Sequence, residues 1–311
     1  MCFAWSGGNH NGKDRATSAV SRLKRAVSVL MGNDVRTGSQ REFVPSGHFY
    51  SPLPDIDAIK ESFKPDDGLM GIDLGIDAQC RFVDVIASFY PELPFSDHPG
   101  VGKAGTRFGY INDFFGHSDA ITLFTMLRAM RPRQVIEVGS GHSSAVMLDT
   151  RARFLPETAL CFIEPYPDRL KSLLRLGDDF ELIEDKVKNV SIDRFAALQE
   201  GDILFIDSSH VSKAGSDVND LFFRVLPALA VGVVVHIHDI LWPFEYPVEW
   251  LLEGRAWNEA YLLRAFLQYN RDWAVLYMND YMGKHQSELV AQKAPLMLVE
   301  TGGSFWMRRV R

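Results

Sequence analysis

Short apolar runs alternate with amphipathic stretches along the C-terminal two thirds of the chain. The densest run, Val135, Ile136 and Val138 within residues 134–138, lacks a wet face and predicts a strand covered on both sides. Similar runs follow at residues 160–163, 180–183, 203–206 and 233–237, separated by helical patterns from Ser143, at 168–176, at 192–198 and at 221–229. A long helix bearing Trp257, Tyr261 and Phe266 is expected at 250–269, then strands at 274–278 and 304–310. Such alternation predicts an α/β fold with a doubly wound, Rossmann-like sheet whose ligands bind where the strands end. Residues 1–104 carry helical patterns at 16–31, 51–63 and 77–90 and hardly any strand signal. They are expected to form an N-terminal helical extension or cap on an α/β domain spanning 105–311.

Carboxylates fall at four successive strand ends: Glu137, Glu164, Asp207 and Asp239. One acid after a buried strand is commonplace, but four point to a single polar cleft. The first strand runs into Gly139-Ser140-Gly141, where missing side chains permit a tight turn and close ligand approach. Ser143 or Ser144 is placed to cap the helix that follows. Three chemistries compete for this turn. Gly139 and Gly141 begin a dinucleotide fingerprint, but Ser144 stands where its third small residue belongs, and Glu137 would repel a pyrophosphate. Gly141-His142-Ser143-Ser144-Ala145 imitates a nucleophile elbow, with Asp207 or Asp239 and then His285 in hydrolase order. The upstream strands of a hydrolase are missing from that reading. Lastly, an acid beside the turn suits a ligand with a positively charged end.

The stretch Glu137-Val-Gly-Ser-Gly closely resembles the first motif of class I S-adenosylmethionine (SAM)-dependent methyltransferases. Residues 105–311 resemble that superfamily as a whole, which ends its seven-stranded sheet with a strand, a long connection and an antiparallel strand. Ile206-Asp207-Ser208-Ser209-His210, then Pro227-Ala228-Leu229-Ala230-Val231-Gly232, then His238-Asp239 are similar to the pattern of the bacterial small-molecule group called methyltransferase family 24. Ser143 departs from the usual third glycine. The resemblance implies that Glu137 faces the methionine end of SAM, that Gly139, Ser140 and Gly141 approach it through their backbone, and that Glu164 holds the ribose. Asp207 would lie near the cofactor, and Tyr110 and Asn112 would roof it. His210, His238 and Asp239 become the catalytic candidates, because imidazole titrates near neutrality and can take a proton from an acceptor. In catechol-type relatives, acids at equivalent strand ends hold a divalent cation. Asp207, His238 and Asp239 are therefore candidate ligands for Mg²⁺ or another divalent cation.

Charge and composition narrow the partners. A net charge of −7 offers no general basic field for nucleic acid, so a small-molecule acceptor is expected, most readily methylated at oxygen. No apolar run reaches the roughly 20 residues of a membrane span. Cys2, Cys80 and Cys161 are odd in number and unrelated in spacing, which suggests neither a disulfide framework nor a thiolate zinc site and agrees with a cytoplasmic protein. The stripe Val20, Leu23, Val27 and Leu30 suits either packing on its own domain or a homo-oligomer contact. An NAD-dependent oxidoreductase and a SAM-binding protein without turnover are the alternatives.

Overall fold

The computed structural model describes residues 43–62, 68–100 and 105–311. The helix expected at residues 16–31 lies outside the described residues. The chain divides into two compact units, Met1–Ser51 and Pro52–Arg311. The larger unit opens with α1 (Ile56–Ser62), α2 (Ile76–Phe89) and α3 (His117–Met130). It continues with β1 (Gln134–Val138), α4 (His142–Phe154), β2 (Ala159–Ile163), α5 (Asp168–Leu173), β3 (Glu181–Ile183), α6 (Ile192–Ala196) and β4 (Ile203–Ile206). After β4 come α7 (Asp217–Asp220), which runs on through a π-helical turn at Leu221–Val225, and β5 (Val234–Ile237). The chain closes with α8 (Val248–Leu252), α9 (Glu259–Leu267), β6 (Trp273–Met278), α10 (Asn279–His285), α11 (Ser287–Lys293) and β7 (Phe305–Arg309).

The seven strands form one sheet in the order β3-β2-β1-β4-β5-β7-β6. The first five are parallel, whereas β7 runs antiparallel to both β5 and β6. Every residue of β4 and β5 is buried, which explains their unbroken apolar character apart from His236. The order reverses between β1 and β4, and this switch point opens a crevice at their C-terminal ends. Backbone bonds prolong the ladder past the strands: Gly139 N–H donates to Ile163 O (3.0 Å), Asp207 N–H to Val138 O (2.8 Å) and His238 N–H to Ile206 O (2.9 Å). The residues after β1, β4 and β5 are thereby held in register before any side chain acts.

The helix expected over 250–269 is two helices. Gly254 adopts φ 84°, a left-handed geometry that ends α8. The Arg255 guanidinium then lies 4.6 Å from the Trp250 ring and 4.8 Å from the Trp257 ring, holding the connection folded between them.

Residues 105–110 are fastened to α4 by one buried acid. Asp149 accepts from the backbone N–H of Arg107 (2.8 Å) and Phe108 (3.0 Å) and from Arg107 Nε (2.9 Å), while Arg107 also reaches Asp178. Asp149→Ala would strand two buried N–H groups and half of a buried ion pair. It is expected to cost about 3–5 kcal/mol, measured by urea unfolding.

Candidate active site

The turn after β1 is organised by Glu137. Its side chain is fully buried, and its two carboxyl oxygens are engaged by the hydroxyls of Ser143 (2.5 Å) and Ser144. Ser144 Oγ also accepts from Gly141 N–H (2.9 Å). Gly141 occupies the cap position of α4, Ser144 completes the cap from inside the first turn by accepting from Gly141 N–H, and both hydroxyls also serve Glu137. The two serines that depart from glycine-rich patterns are therefore explained by the acid six and seven residues before them. Burial pushes the Glu137 carboxyl up to about 8, so it carries a proton at neutral pH and can donate as well as accept. Held in this way, it shapes the turn.

Gly139 has φ 82°, and a Cβ there would collide with the Asp207 carbonyl oxygen. Gly141 is extended and needs no unusual angle; a Cβ on it would come within 3.0 Å of Arg169 Cδ. Ser140 N–H donates to Glu164 Oε2 (3.1 Å), and Tyr166 N–H donates to Glu164 Oε1 (2.8 Å), fixing that carboxylate at the end of β2. Ser140 Oγ is buried with no protein partner. A cavity of about 580 Å³ opens here, within the usual range for small ligands, with Gly139, Glu164, Lys186, Val187, Asp207 and Ser208 among its walls. The glycine turn, the fixed carboxylate and the orphaned hydroxyl suit an adenosyl ligand.

Tyr110 and Asn112 are placed by contacts of their own, and the Tyr110 hydroxyl is buried without a protein partner. Tyr110 is buried and stacks on His117 at 4.6 Å. Asn112 closes its own turn, donating to Gly109 O and Phe115 O and accepting from the N–H groups of Phe114 and Phe115. Phe114, two residues on, projects instead: the Arg169 guanidinium lies 3.8 Å from its ring, and His142 stacks on it at 5.8 Å.

His210, His238, Asp207 and Asp239 do come together. His210 Nε2 lies 3.5 Å from both Asp207 Oδ1 and Asp239 Oδ2, and its Nδ1 lies 3.0 Å from Glu259 Oε2. Burial alone would lower the His210 pKa, but bonds to Asp207 and Glu259 overcome it and raise it to about 10. The carboxylates around His210 thus favour its imidazolium form. His238 Nε2 lies 3.7 Å from Asp239 Oδ1, and its Nδ1 has no protein partner. Burial would lower its pKa too, yet Asp239, Asp207 and Asp119 raise it. His236 bonds to Ser304 Oγ (3.0 Å) inside the sheet and stacks on Phe205 at 3.7 Å, in keeping with a structural role.

The donor set does not suit a metal. Among the described residues, no group of three or more His, Cys, Asp or Glu side chains is arranged to hold a metal ion. The ring of His210 fills the gap between Asp207 and Asp239, where a cation on Asp207, His238 and Asp239 was expected.

Two supporting acids escaped sequence reasoning. Glu259 was concealed inside the expected long helix, yet it is fully buried behind His210. Asp119, in the first turn of α3, accepts from the N–H groups of Gly303 (3.3 Å) and Ser304 (2.8 Å). Ile240 N–H in turn donates to Gly303 O (2.9 Å), so Asp119 braces the segment after β5. Only its early position in a helix entering the sheet could have marked it.

The sheet order separates the nucleotide-binding alternatives. A dinucleotide fold would continue 3-2-1-4-5-6 in parallel, whereas here the antiparallel β7 enters between β5 and β6. Residues 136–240 match a family model described as a methyltransferase domain. Over that span the chain is similar to methyltransferase domains. An uncharacterized protein of Archaeoglobus fulgidus is 30% identical to this chain over 166 residues, 50% of this chain and 74% of the relative. Among solved structures, a methyltransferase of Podospora anserina bound to S-adenosylhomocysteine (SAH) is 13% identical, covering 99% of this chain and 100% of its own, with TM-score 0.40. An O-methyltransferase of tomaymycin synthesis from Streptomyces achromogenes, in complex with SAM, is 14% identical over 82% of this chain and 95% of its own, with TM-score 0.36. The elbow reading fails on geometry, since Ser143 Oγ is buried against Glu137 rather than exposed above the turn.

Glu137 makes the stability of the protein pH-sensitive. Its folded-state pKa is raised, so between the ordinary carboxyl value and about 8 the native state binds more protons than the unfolded chain. Stability contributed by this group is therefore lost as pH rises through that window. Glu137→Gln mimics the protonated acid and should gain a few kcal/mol relative to the parent between about pH 5 and pH 8, read from urea unfolding at both ends. An unchanged difference would place the proton elsewhere.

Proposed function

We propose that this protein methylates a small-molecule acceptor at oxygen, with His238 as proton acceptor and without a divalent metal. The reading is carried by one observation: an imidazole whose buried Nδ1 has no protein partner stands at the end of β5 beside Asp239, close to Asp207, which lines the cavity. SAM, when bound, supplies a methyl group on a positively charged sulfur. The acceptor oxygen forms a bond to that carbon, the carbon–sulfur electron pair remains on sulfur, and the acceptor proton passes to His238. Glu164 is assigned to the ribose, the Gly139-Ser140-Gly141 backbone to the methionine portion, and Asp207 to the junction between cofactor and acceptor. His210, held positive by Glu259, fixes Asp207 and Asp239 and supplies a charge between them that makes a metal redundant.

A small acceptor is favoured because aromatic side chains crowd the approach. Trp257 packs on His210 at 4.4 Å, and Trp250 and Tyr246 close around it. Among the described residues, no helix is long and apolar enough to cross a membrane.

His238→Ala should lower kcat by roughly 10²- to 10³-fold while leaving SAM affinity within about twofold. Calorimetric titration with SAM, SAH and NAD should show heat from the first two alone, unchanged by chelator. Binding of NAD alone would defeat the reading, and chelator-sensitive turnover would restore a metal.

A further inference from the structure

A second cleft, about 720 Å³ and open to solvent, lies between the segment at residues 69–81 and the chain carrying Trp242, Tyr281 and His285. One side is aliphatic, with Leu69, Ile72 and Leu74 backed by the core. The opposite side is aromatic: Trp242 and Tyr281 meet edge to face at 4.8 Å, and His285 stacks on Tyr281 at 4.9 Å. Asp73 and Asp77 line the exposed rim, with Arg81 one turn beyond Asp77 on α2.

Both walls are tied to the methyl-transfer centre. Trp242 follows Asp239 by three residues, so their Cα atoms are at most about 11 Å apart. That short link is anchored by Ile240 N–H to Gly303 O (2.9 Å) and Trp242 N–H to Asp280 Oδ2 (2.7 Å). The aliphatic wall hangs from the far end of α9, where Arg264 donates to Gly68 O (2.8 Å) and Tyr269 N–H to Gly71 O (2.7 Å). At the near end of α9, the N–H groups of Asn258 and Glu259 hold His210 O at 3.0 and 3.2 Å. One helix thus joins the imidazole cluster to the cleft.

We propose that this cleft binds the distal part of the methyl acceptor, and that the acceptor is an extended molecule with a planar aromatic portion bearing hydroxyl or amino groups. The inference rests on the methyltransferase reading above. A slot with aliphatic groups on one side and aromatic rings on the other favours a flat π-system over a sugar or an aliphatic chain. Two rim carboxylates accept from donors and repel an acceptor ending in a carboxylate, and the single arginine leaves them in the majority.

The test is a panel of phenols and anilines of one to three rings, set against sugars and amino acids, with SAH formation followed at saturating SAM. Turnover should be confined to the aromatic compounds, with the lowest KM among those of two or three rings. Trp242→Ala should raise that KM by roughly tenfold or more with SAM affinity unchanged, and Trp242→Phe should largely restore it. Asp77→Asn, on an exposed position that does not threaten folding, should raise KM several-fold for amino-substituted compounds. Turnover of sugars or amino acids with the aromatics inert would overturn the proposal, as would a KM indifferent to both substitutions. SAM binding with no turnover of any compound overturns it while sparing the cofactor reading; failure to bind SAM overturns both.

Discussion

A buried carboxyl group joins the end of the central strand to the helix that follows it, and the rest of the site is built on that junction. Glu137 has no exposed surface, and its oxygens are taken by Ser143 and Ser144. An isolated charge there would be prohibitively desolvated, so the group keeps its proton and becomes a neutral hydrogen-bonding hub. With Ser144 also accepting from Gly141 N–H, the turn between β1 and α4 has a fixed path. Gly139 can then lie against the backbone after β4, and Glu164 can reach Ser140 N–H.

A second layer of buried acids does for the reacting end what Glu137 does for the cofactor end. Glu259 orients His210, and Asp119 braces the segment that meets Ile240. The contrast between the two histidines follows from their neighbours. His210 is enclosed by three carboxylates that favour its charged form, while the buried Nδ1 of His238 has no protein partner. Identical side chains, one after β4 and one after β5, are thereby suited to different work.

The parallel core was legible because its strands are covered on both faces, and their unbroken apolar runs carry that burial in the residues themselves. Glycine and acid positions at the strand ends were legible for the same reason, being the places where a buried run meets a ligand crevice. What the sequence could not disclose depends on contacts across long separations. Nothing near Glu137 in the sequence says that Ser143 and Ser144 will claim its oxygens. The break at Gly254 was masked by continuous aromatic periodicity, and with it the burial of Glu259 behind His210. Asn112 looked available for a cofactor, yet its amide is spent on its own turn.

The most direct measurement is a crystal structure of the protein with SAH. The ribose hydroxyls are expected on Glu164 and the homocysteine portion along Gly139-Ser140-Gly141, with Glu137 still buried against its two serines. SAH bound away from the ends of β1, β2 and β4, or Glu137 swung out to contact it, would contradict the account.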